Sequence, residues 1–246
     1  MKKQFEQKGF LIRQNNKYKI DGKKTTSILM NQLQVDILEK NKQYFCGKLL
    51  DAGCGEKPYS LLYDGLVNES VGCDVEICIH DQKYVDVFAS VDNLPFSDKE
   101  FDTVLCTNVL EHVSNMEKGV SELSRCLKKE GRMILITPFL YPTHEAPYDF
   151  YRYTIYGLKH QMEKNKMKII KIVPLGGVGF FFMVYFNMFL GKFIKNKVLH
   201  KTSVMLQNAF YRMYKKCCFE KICNGVRGIT GIISCGYFVI AQKQEN

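Results

Sequence analysis

The segment LLDAGCGEKPYS, Leu49–Ser60, decides the fold of this chain. An apolar run leads into Asp51, and two glycines, Gly53 and Gly55, follow one residue apart. This order is typical of a buried β-strand that ends in a sharp turn, because glycine adopts backbone angles that other residues avoid and leaves room for a ligand against the main chain. The segment therefore predicts an α/β fold in which a nucleoside lies at the end of a strand.

Pro58 indicates which kind of nucleoside the turn can bind. A dinucleotide fingerprint requires a third glycine at this position, where the N-terminus of a helix faces a pyrophosphate. A nucleoside without phosphates fits the turn better, and S-adenosylmethionine is the common one. A nicotinamide dinucleotide, and with it an oxidoreductase, is the disfavoured alternative.

Short apolar runs alternate with helical patterns along the rest of the chain. We predict strands at 48–51, 70–74, 84–87, 101–106, 132–137, 168–173 and 236–243. The clearest helices are predicted to begin near Ile28 and at Met116, and the second is expected to stop at Gly131. Alternation of this kind predicts a Rossmann-like, doubly wound α/β fold with a mostly parallel seven-stranded sheet, whose last strand is antiparallel.

Length and composition fit one main domain. The chain has 246 residues, of which 46% are hydrophobic. We predict an irregular basic segment at 1–24 and a domain over 25–246, which includes an apolar and basic helical insertion at 174–234. No apolar run follows the first lysines, so we expect no secretory signal and a cytoplasmic location.

The formal net charge of +10 is concentrated in the C-terminal third. Lysines crowd the chain from Lys159 onward, whereas the region 69–102 is acidic. An anionic membrane surface is therefore a candidate partner. Nucleic acid is disfavoured, because aromatic residues are not interleaved with the basic ones outside the apolar insertion.

The ten cysteines predict reduced thiols, since they are scattered and form no C-x-x-C pair. Cys217, Cys218 and Cys223 come closest to a metal cluster. Neither a histidine nor a second spaced pair completes tetrahedral zinc geometry around them, and we predict no metal site.

Residues 172–191 form a stretch of 20 residues without a charge, flanked by lysines. Three interpretations remain open: an apolar helix that packs on the core or walls the substrate site, docking at a membrane surface, and a membrane span. The lysine flanks and the run Phe180–Phe182 favour docking, whereas Pro174 and the nearby glycines weaken a span.

Four motifs occur in a fixed order: LLDAGCG, VGCD, NLPFSDKEFDTVLC and NVLEHV. In this order and spacing they resemble the class I S-adenosylmethionine-dependent methyltransferases, specifically the small-molecule branch called methyltransferase type 11. The resemblance covers roughly Lys48–Thr137.

The resemblance implies where the cofactor binds. Gly53 and Gly55 would approach its methionine portion, and Asp51 would help to anchor the ammonium group. Asp74 ends the second strand 21 positions after Gly53, where a carboxylate accepts hydrogen bonds from ribose hydroxyls.

The adenine side departs from the family pattern, which has an acidic residue and alanine where this chain has Ser90 and Val91. We expect Ser90 to bind the adenine amine or Asp92 to take its place. The resemblance also implies that Asn108 and His112 flank the cofactor.

The acceptor is expected to bind at Pro138–Thr154, PFLYPTHEAPYDFYRYT, which follows the fifth strand and is rich in polar and aromatic groups. His144 is the candidate general base, oriented by Asp149 or Glu145. Arg152 is expected to pair with a phosphate or carboxylate of the acceptor. The candidates for stacking on a sugar are Tyr148, Tyr151 and Tyr153.

The acceptor class predicted is a small molecule, a glycan or a lipid-linked hydroxyl. Residues 137–140 lack the signature of many amine-directed enzymes, so oxygen is preferred over nitrogen. A rigid lid at 138–154 and a catalytically silent module that docks on a membrane or partner are the alternatives.

Overall fold

The computed structural model describes residues 5–15, 17–25, 27–76, 81–193, 197–219 and 233–244. The strands are β1 (Phe5–Lys8), β2 (Leu11–Gln14), β3 (Lys17–Ile20), β4 (Lys48–Ala52), β5 (Glu69–Asp74), β6 (Val87–Phe88), β7 (Phe101–Thr107), β8 (Leu127–Pro138), β9 (Met167–Leu175) and β10 (Gly236–Lys243). The helices are α1 (Ile28–Lys40), α2 (Ser60–Tyr63), α3 (Met116–Cys126), α4 (Ile155–Lys164), α5 (Val178–Phe193) and α6 (Lys197–Tyr214).

Seven strands form the central sheet in the order β6-β5-β4-β7-β8-β10-β9. The pairs from β6 to β8 are parallel, and β10 runs antiparallel to both β8 and β9. The predicted mostly parallel seven-stranded sheet with an antiparallel last strand is confirmed. Because β4 and β5 are parallel and adjacent, their carboxyl ends at Ala52 and Asp74 reach the same edge of the sheet.

Helices cover both faces of this sheet. Successive strand residues point to opposite faces, so Leu49 packs with α1 whereas Leu50 packs with α3. The buried residues on the first face include Leu33, Ile37, Leu105, Phe180, Tyr211 and Phe238. Those on the second face include Val104, Val120, Leu123, Met162, Met133 and Val239. The hydrophobic core therefore has the two layers expected of a doubly wound fold.

The N-terminal segment is more ordered than predicted. Within 1–24 the strands β1, β2 and β3 form an antiparallel sheet, so the prediction of an irregular segment is wrong for these residues. Arg13 and Tyr18 each donate a hydrogen bond of 3.1 Å to the carbonyl of Leu61 in α2, and Leu11 is fully buried. Such contacts between distant segments leave no periodic pattern in the sequence.

Several boundaries differ from the predictions, among them the start of β8, which lies at Leu127 rather than at residue 132. The strand predicted at 84–87 shrinks to β6, because the Asp86 carboxylate accepts hydrogen bonds from the Lys57 side chain and the Gly72 backbone and holds the preceding residues in a loop. Helix α3 ends at Cys126 rather than at Gly131, because β8 begins at once and its Leu127 pairs with Phe101 of β7.

The apolar stretch 172–191 is divided between β9 and α5. Phe180 and Val184 are buried in the core, whereas Phe182 and Phe186 are more than half exposed. Among the residues that the structure describes, no helix combines the length and the apolar character that crossing a membrane requires. Within the insertion at 174–234, residues 220–232, and with them Cys223, lie outside the described residues.

The cysteines that the structure describes are free thiols, and most are buried in or beside the sheet. Ser27 precedes α1 without a capping hydrogen bond from its side chain. Its hydroxyl instead contacts the Tyr141 hydroxyl at 2.6 Å. This contact joins the start of α1 to the loop that follows β8.

Candidate active site

A cavity of about 720 Å³ opens at the carboxyl ends of β4, β5, β7 and β8. This is where ligands bind in parallel sheets, because the loops that leave the strands diverge there. Among the described residues that line it are Gly53, Gly55, Asp74, Ser90, Val91, Asn108, His112 and His144. These predicted residues therefore share one crevice.

The turn after β4 joins two strands and leaves no space for a side chain. The backbone N–H groups of Gly53 and Cys54 both donate to the carbonyl of Cys73 in β5, at 2.7 and 3.0 Å. Gly53 has a φ of +69°, and a Cβ atom placed on it would lie 2.1 Å from the side chain of Val109. Only glycine fits here, because Val109 from the turn after β7 occupies the space.

Asp74 is fixed by the same turn. One oxygen of its carboxylate accepts a 2.7 Å hydrogen bond from the backbone of Gly55, and the other accepts one of 2.8 Å from Val75. Each carboxylate oxygen has two acceptor positions. The remaining positions can therefore accept hydrogen bonds from hydroxyl groups in the cavity.

Asp51 lies in β4, just before the glycine turn. It is buried, it lies outside the set of described residues that line the cavity, and its carboxylate accepts a 2.9 Å hydrogen bond from the Tyr63 hydroxyl. Burial raises the pKa of Asp51 to about 7. Asp51 therefore lies behind the glycine turn rather than on the cavity wall, and its help in anchoring a cofactor ammonium group stays a prediction.

Ser90 and Val91 form the wall beyond β6. The Ser90 hydroxyl donates a 2.5 Å hydrogen bond to the Asp92 carboxylate. Its oxygen therefore retains lone pairs that can accept a hydrogen bond from an amine. Ser90 lines the cavity and Asp92 orients it.

Helix α1 supplies a wall that the sequence analysis missed. The side-chain amides of Gln34 and Asn108 are paired at 3.1 and 3.2 Å, and the Tyr59 hydroxyl donates to Gln34 at 2.5 Å. Asn108 has a φ of +54°, which turns the chain sharply after β7. Phe10, from the N-terminal segment, also lines the cavity. The amphipathic pattern of α1 indicated packing but gave no signal for a ligand site.

The loop at 139–154 is attached to the turn after β7. The backbone N–H groups of Phe150 and Tyr151 donate to the carbonyl of Glu111, and the Tyr153 hydroxyl donates to that of Leu110 at 2.8 Å. These contacts place His144 opposite His112. Of the three tyrosines predicted to stack on a ligand, only Tyr148 is among the described residues that line the cavity.

Arg152 and Asp149 stabilise the loop. Arg152 donates two hydrogen bonds to Asp149, at 2.5 and 2.6 Å, and its other donors reach the carbonyls of Tyr141, Pro142 and Tyr151. A guanidinium group has five N–H donors, so all of them have partners within the chain. The predicted role of Arg152 in binding an acceptor phosphate or carboxylate is contradicted by this arrangement.

Asp149 also contacts His144. Its carboxylate accepts a 2.9 Å hydrogen bond from the His144 backbone and lies 3.3 Å from Nδ1 of the ring. The Arg152 guanidinium lowers the pKa of Asp149 to about 2, so this carboxylate is charged. Burial and the neighbouring His112 lower the pKa of His144, which favours a neutral imidazole.

Glu111 is a second residue that the sequence analysis did not select. Its side chain is fully buried beside the two histidines, and the burial raises its pKa to about 8. Neither carboxylate oxygen receives a hydrogen bond from the residues that the structure describes. The sequence NVLEHV is equally compatible with a glutamate on the protein surface, so the burial of Glu111 could not be predicted from it.

Comparison with known proteins agrees with this geometry. Residues 50–135 match the sequence model of a family described as a methyltransferase domain. An uncharacterized methyltransferase, YcgJ of Bacillus subtilis, is 31% identical over 113 residues, which are 42% of this chain and 42% of that protein. The chain spans no more than 42% of the length of the curated proteins that it matches.

Solved structures share the fold at low sequence identity. A SAM-dependent methyltransferase from Archaeoglobus fulgidus has a TM-score of 0.54 and 17% identity, with 86% of this chain and 94% of that chain covered. The [4+2]-cyclase SpnF has a TM-score of 0.56 and 16% identity, with 87% of this chain and 81% of that chain covered.

Residues 50–135 thus match the model of a methyltransferase domain, and the resemblance inferred from the four motifs is confirmed. The cyclase shows that the same fold hosts other chemistry, so the activity must be argued from the site.

Proposed function

We propose that this chain is an S-adenosylmethionine-dependent methyltransferase. The observation that carries the proposal is the 2.7 Å hydrogen bond between Asp74 and the backbone of Gly55, within one cavity. It joins the carboxylate suited to ribose hydroxyls to the turn suited to the methionine portion. The matching family, at residues 50–135, supports the same cofactor.

The cavity has two ends with different chemistry. Gly53, Asp74 and Ser90 offer a glycine turn and hydrogen-bond acceptors, which suit an adenosyl group. His112 and His144 lie at the other end, where the acceptor would bind. When bound, S-adenosylmethionine supplies the methyl group from its sulfonium centre.

His144 is the proposed base for an oxygen acceptor. Its Nδ1 faces the Pro142 carbonyl and the Asp149 carboxylate, so the proton resides on Nδ1 and the lone pair is on Nε2, which lies 3.2 Å from Nε2 of His112. Nε2 can then take the proton that the hydroxyl loses as its oxygen gains the methyl group. Asp149 is a positioning residue. Placement of the two reactants supplies most of the remaining rate enhancement.

The acceptor class that we propose is a small molecule, a glycan or a lipid-linked hydroxyl. Tyr148 is 59% exposed at the mouth of the cavity and can stack on a sugar ring.

Calorimetry of the full chain with S-adenosylmethionine tests the cofactor. We expect binding, and we expect Asp74→Ala to weaken it at least about tenfold, because a charge-assisted hydrogen bond contributes about 1.5–3 kcal/mol. Asp98→Ala, which removes a carboxylate from the surface, is the matched control. Absence of binding at millimolar cofactor would refute the proposal.

Turnover tests the role of His144. Labelled cofactor incubated with cell envelope extract should give a methylated product, and His144→Ala should lower its formation by about 100-fold or more without changing cofactor affinity. Unchanged turnover would remove His144 from the mechanism. Cofactor binding without any product would favour the catalytically silent alternative.

We also propose that the chain docks on an anionic membrane surface through α5 and α6. Their exposed large apolar residues include Phe182, Phe186, Phe189, Met205, Leu206 and Met213. The sequence places Lys192, Lys195, Lys197 and Lys201 between these two groups. Apolar side chains next to lysines suit lipid tails beneath anionic headgroups.

Flotation with liposomes tests the docking. The full chain should float with vesicles that contain phosphatidylglycerol and should remain in the bottom fraction with vesicles of phosphatidylcholine alone. Phe182→Ser with Phe186→Ser should abolish flotation, whereas Tyr156→Ser, which removes an exposed aromatic ring on α4, should not. Flotation that is equal for all three proteins would contradict the docking surface.

A further inference from the structure

Three potential metal ligands meet at the acceptor end of the cavity. Glu111 and His112 lie on the helical turn after β7, and His144 lies on the loop after β8. The Nε2 atoms of the two histidines are 3.2 Å apart. One oxygen of Glu111 lies 3.9 Å from Nε2 of His112 and 4.0 Å from Nε2 of His144.

The hydrogen bonds of the two rings fix where their protons are. Nδ1 of His112 lies 2.8 Å from the carbonyl of Tyr148, and Nδ1 of His144 lies 3.2 Å from the carbonyl of Pro142 and 3.3 Å from the Asp149 carboxylate. These partners accept hydrogen bonds and cannot donate them, so each neutral ring carries its proton on Nδ1. Both Nε2 lone pairs then point toward each other.

Two facing lone pairs beside a carboxylate need a positive centre. Glu111 is fully buried, and neither of its oxygens has a hydrogen-bond partner among the described residues. A buried carboxyl group without a hydrogen-bond partner is unfavourable even when it is protonated, and more so when it is ionised. A cation held between the three side chains would satisfy Glu111 and both Nε2 atoms at once.

We propose that Glu111, His112 and His144 bind one divalent transition-metal ion of the zinc type. Tetrahedral bonds of about 2.0–2.1 Å place two ligand atoms about 3.3 Å apart, which agrees with the separation of the two Nε2 atoms. The Glu111 carboxylate must move closer by several tenths of an ångström. Imidazole ligands favour Zn²⁺, Co²⁺ or Fe²⁺ over Mg²⁺ and Ca²⁺.

The groups that accept hydrogen bonds from the two histidine rings are of the kind found around metal-binding histidines in proteins. Histidine ligands usually donate their second N–H group to a carbonyl or carboxylate, which is the role of Tyr148 for one ring and of Pro142 and Asp149 for the other. With three protein ligands, a fourth position remains open, as in catalytic zinc sites. Because all three ligands line the cavity, this position faces it.

The metal site extends the proposed function and, for its role with the acceptor, rests on it. An ion and a proton compete for Nε2 of His144. The role of His144 as base therefore belongs to the metal-free protein. In the metal-loaded protein the acceptor oxygen would occupy the open position, where a metal ion lowers the pKa of a bound hydroxyl.

Titration of the metal-free full chain with Co²⁺ and Zn²⁺ tests the site directly. We expect one ion per chain, with the strong visible absorption of tetrahedral Co²⁺, displacement of Co²⁺ by Zn²⁺, and no competition by Mg²⁺. Glu111→Gln and His112→Ala should each weaken binding at least tenfold, as lost ligands do, with folding checked by thermal unfolding. Glu111→Gln preserves side-chain volume, so it remains informative if His112→Ala unfolds.

Two controls separate the site from adventitious ligands. His160→Ala removes an exposed imidazole on α4, and Cys217→Ser with Cys218→Ser removes two exposed thiols. Both should bind the ion as the unmodified chain does. The proposal would be overturned if the unmodified chain bound no ion, or if the Glu111 and His112 variants bound the ion as tightly as the unmodified chain. Either result would favour a proton shared between the two histidines.

Calorimetry with S-adenosylmethionine on the same samples keeps the two proposals distinct. Ion binding without cofactor binding would refute the methyltransferase proposal and leave the metal site intact. Cofactor binding without ion binding would refute only the metal site.

Discussion

Asp51 lies directly behind the glycine turn, with its carboxyl group buried against Tyr63. Loss of hydration raises its pKa to about 7 and outweighs the opposing effects of the Tyr63 hydrogen bond and of the charge on Lys57. In the unfolded chain the same carboxyl group titrates near pH 4. The folded protein therefore retains a proton that the unfolded protein releases.

This difference predicts a specific dependence of stability on pH. Between about pH 4 and pH 7 the folded state binds more protons at Asp51, so the free energy of unfolding falls as pH rises. Asp51→Asn removes this contribution. Relative to the natural chain, the variant should gain about 3 kcal/mol between pH 4.5 and pH 7.5, as measured by urea unfolding. Glu111 is present in both proteins and cancels, and parallel pH profiles would contradict the prediction.

The sequence predicted the strand ends and the glycine turn better than the loop at 139–154. Gly53 and Asp74 could be recognised because a strand end, a turn and a carboxylate follow one another locally. Arg152 could not be assigned, since its donors are taken by carbonyls and by Asp149 on a loop whose shape depends on the whole chain. Glu111 was missed for a related reason, because burial beside His144 depends on contacts between two separate loops.

The turns after β4 and β7 depend on each other through the contact of Gly53 with Val109. Gly53→Ala adds left-handed backbone strain and a steric overlap, and we expect it to lower the free energy of unfolding by about 2–4 kcal/mol. Gly65→Ala is the matched control. Gly65 has a φ of +84°, and a Cβ atom there meets nothing within 4 Å, so that variant should lose only about 1 kcal/mol.

A double variant isolates the contact between the turns. The double variant Gly53→Ala, Val109→Ala should be nearly as stable as the double variant Gly65→Ala, Val109→Ala. The shorter side chain at residue 109 removes the steric overlap with residue 53, so only the backbone strain remains. Denaturant unfolding gives the free energy of unfolding of the unmodified chain, the two single glycine variants and the two double variants. Equal effects of Gly53→Ala and Gly65→Ala would show that the turns are independent.

Strands that are buried on both faces were predicted well. The bounds predicted for β10 agree with the structure, and those of β4 differ by one residue, because continuous apolar runs leave few alternatives. In contrast, β6 has only two paired residues, and β1 to β3 are polar strands held by contacts with α2. Elements of this kind form only when the remainder of the protein is present.

The cavity is built from both halves of the chain, so its ligand should stabilise the whole protein. At a concentration of S-adenosylmethionine about 100 times its Kd, binding contributes about 2.7 kcal/mol. For a chain of this size we expect Tm to rise by about 5–10 °C in a thermal unfolding experiment. Asp74→Ala should show a smaller increase under the same conditions. A cofactor that binds in calorimetry without raising Tm would indicate a site outside the folded domain.

The bonds of Arg152 within the loop at 139–154 have a consequence for acceptor choice. A segment whose backbone carbonyls are already held by a guanidinium group is pre-organised, so an incoming acceptor loses little affinity to ordering it. Such rigidity favours ligands that match its contour and discriminates against those that would require it to adapt. Acceptor selection by this protein should therefore follow shape, with a narrow range of accepted molecules.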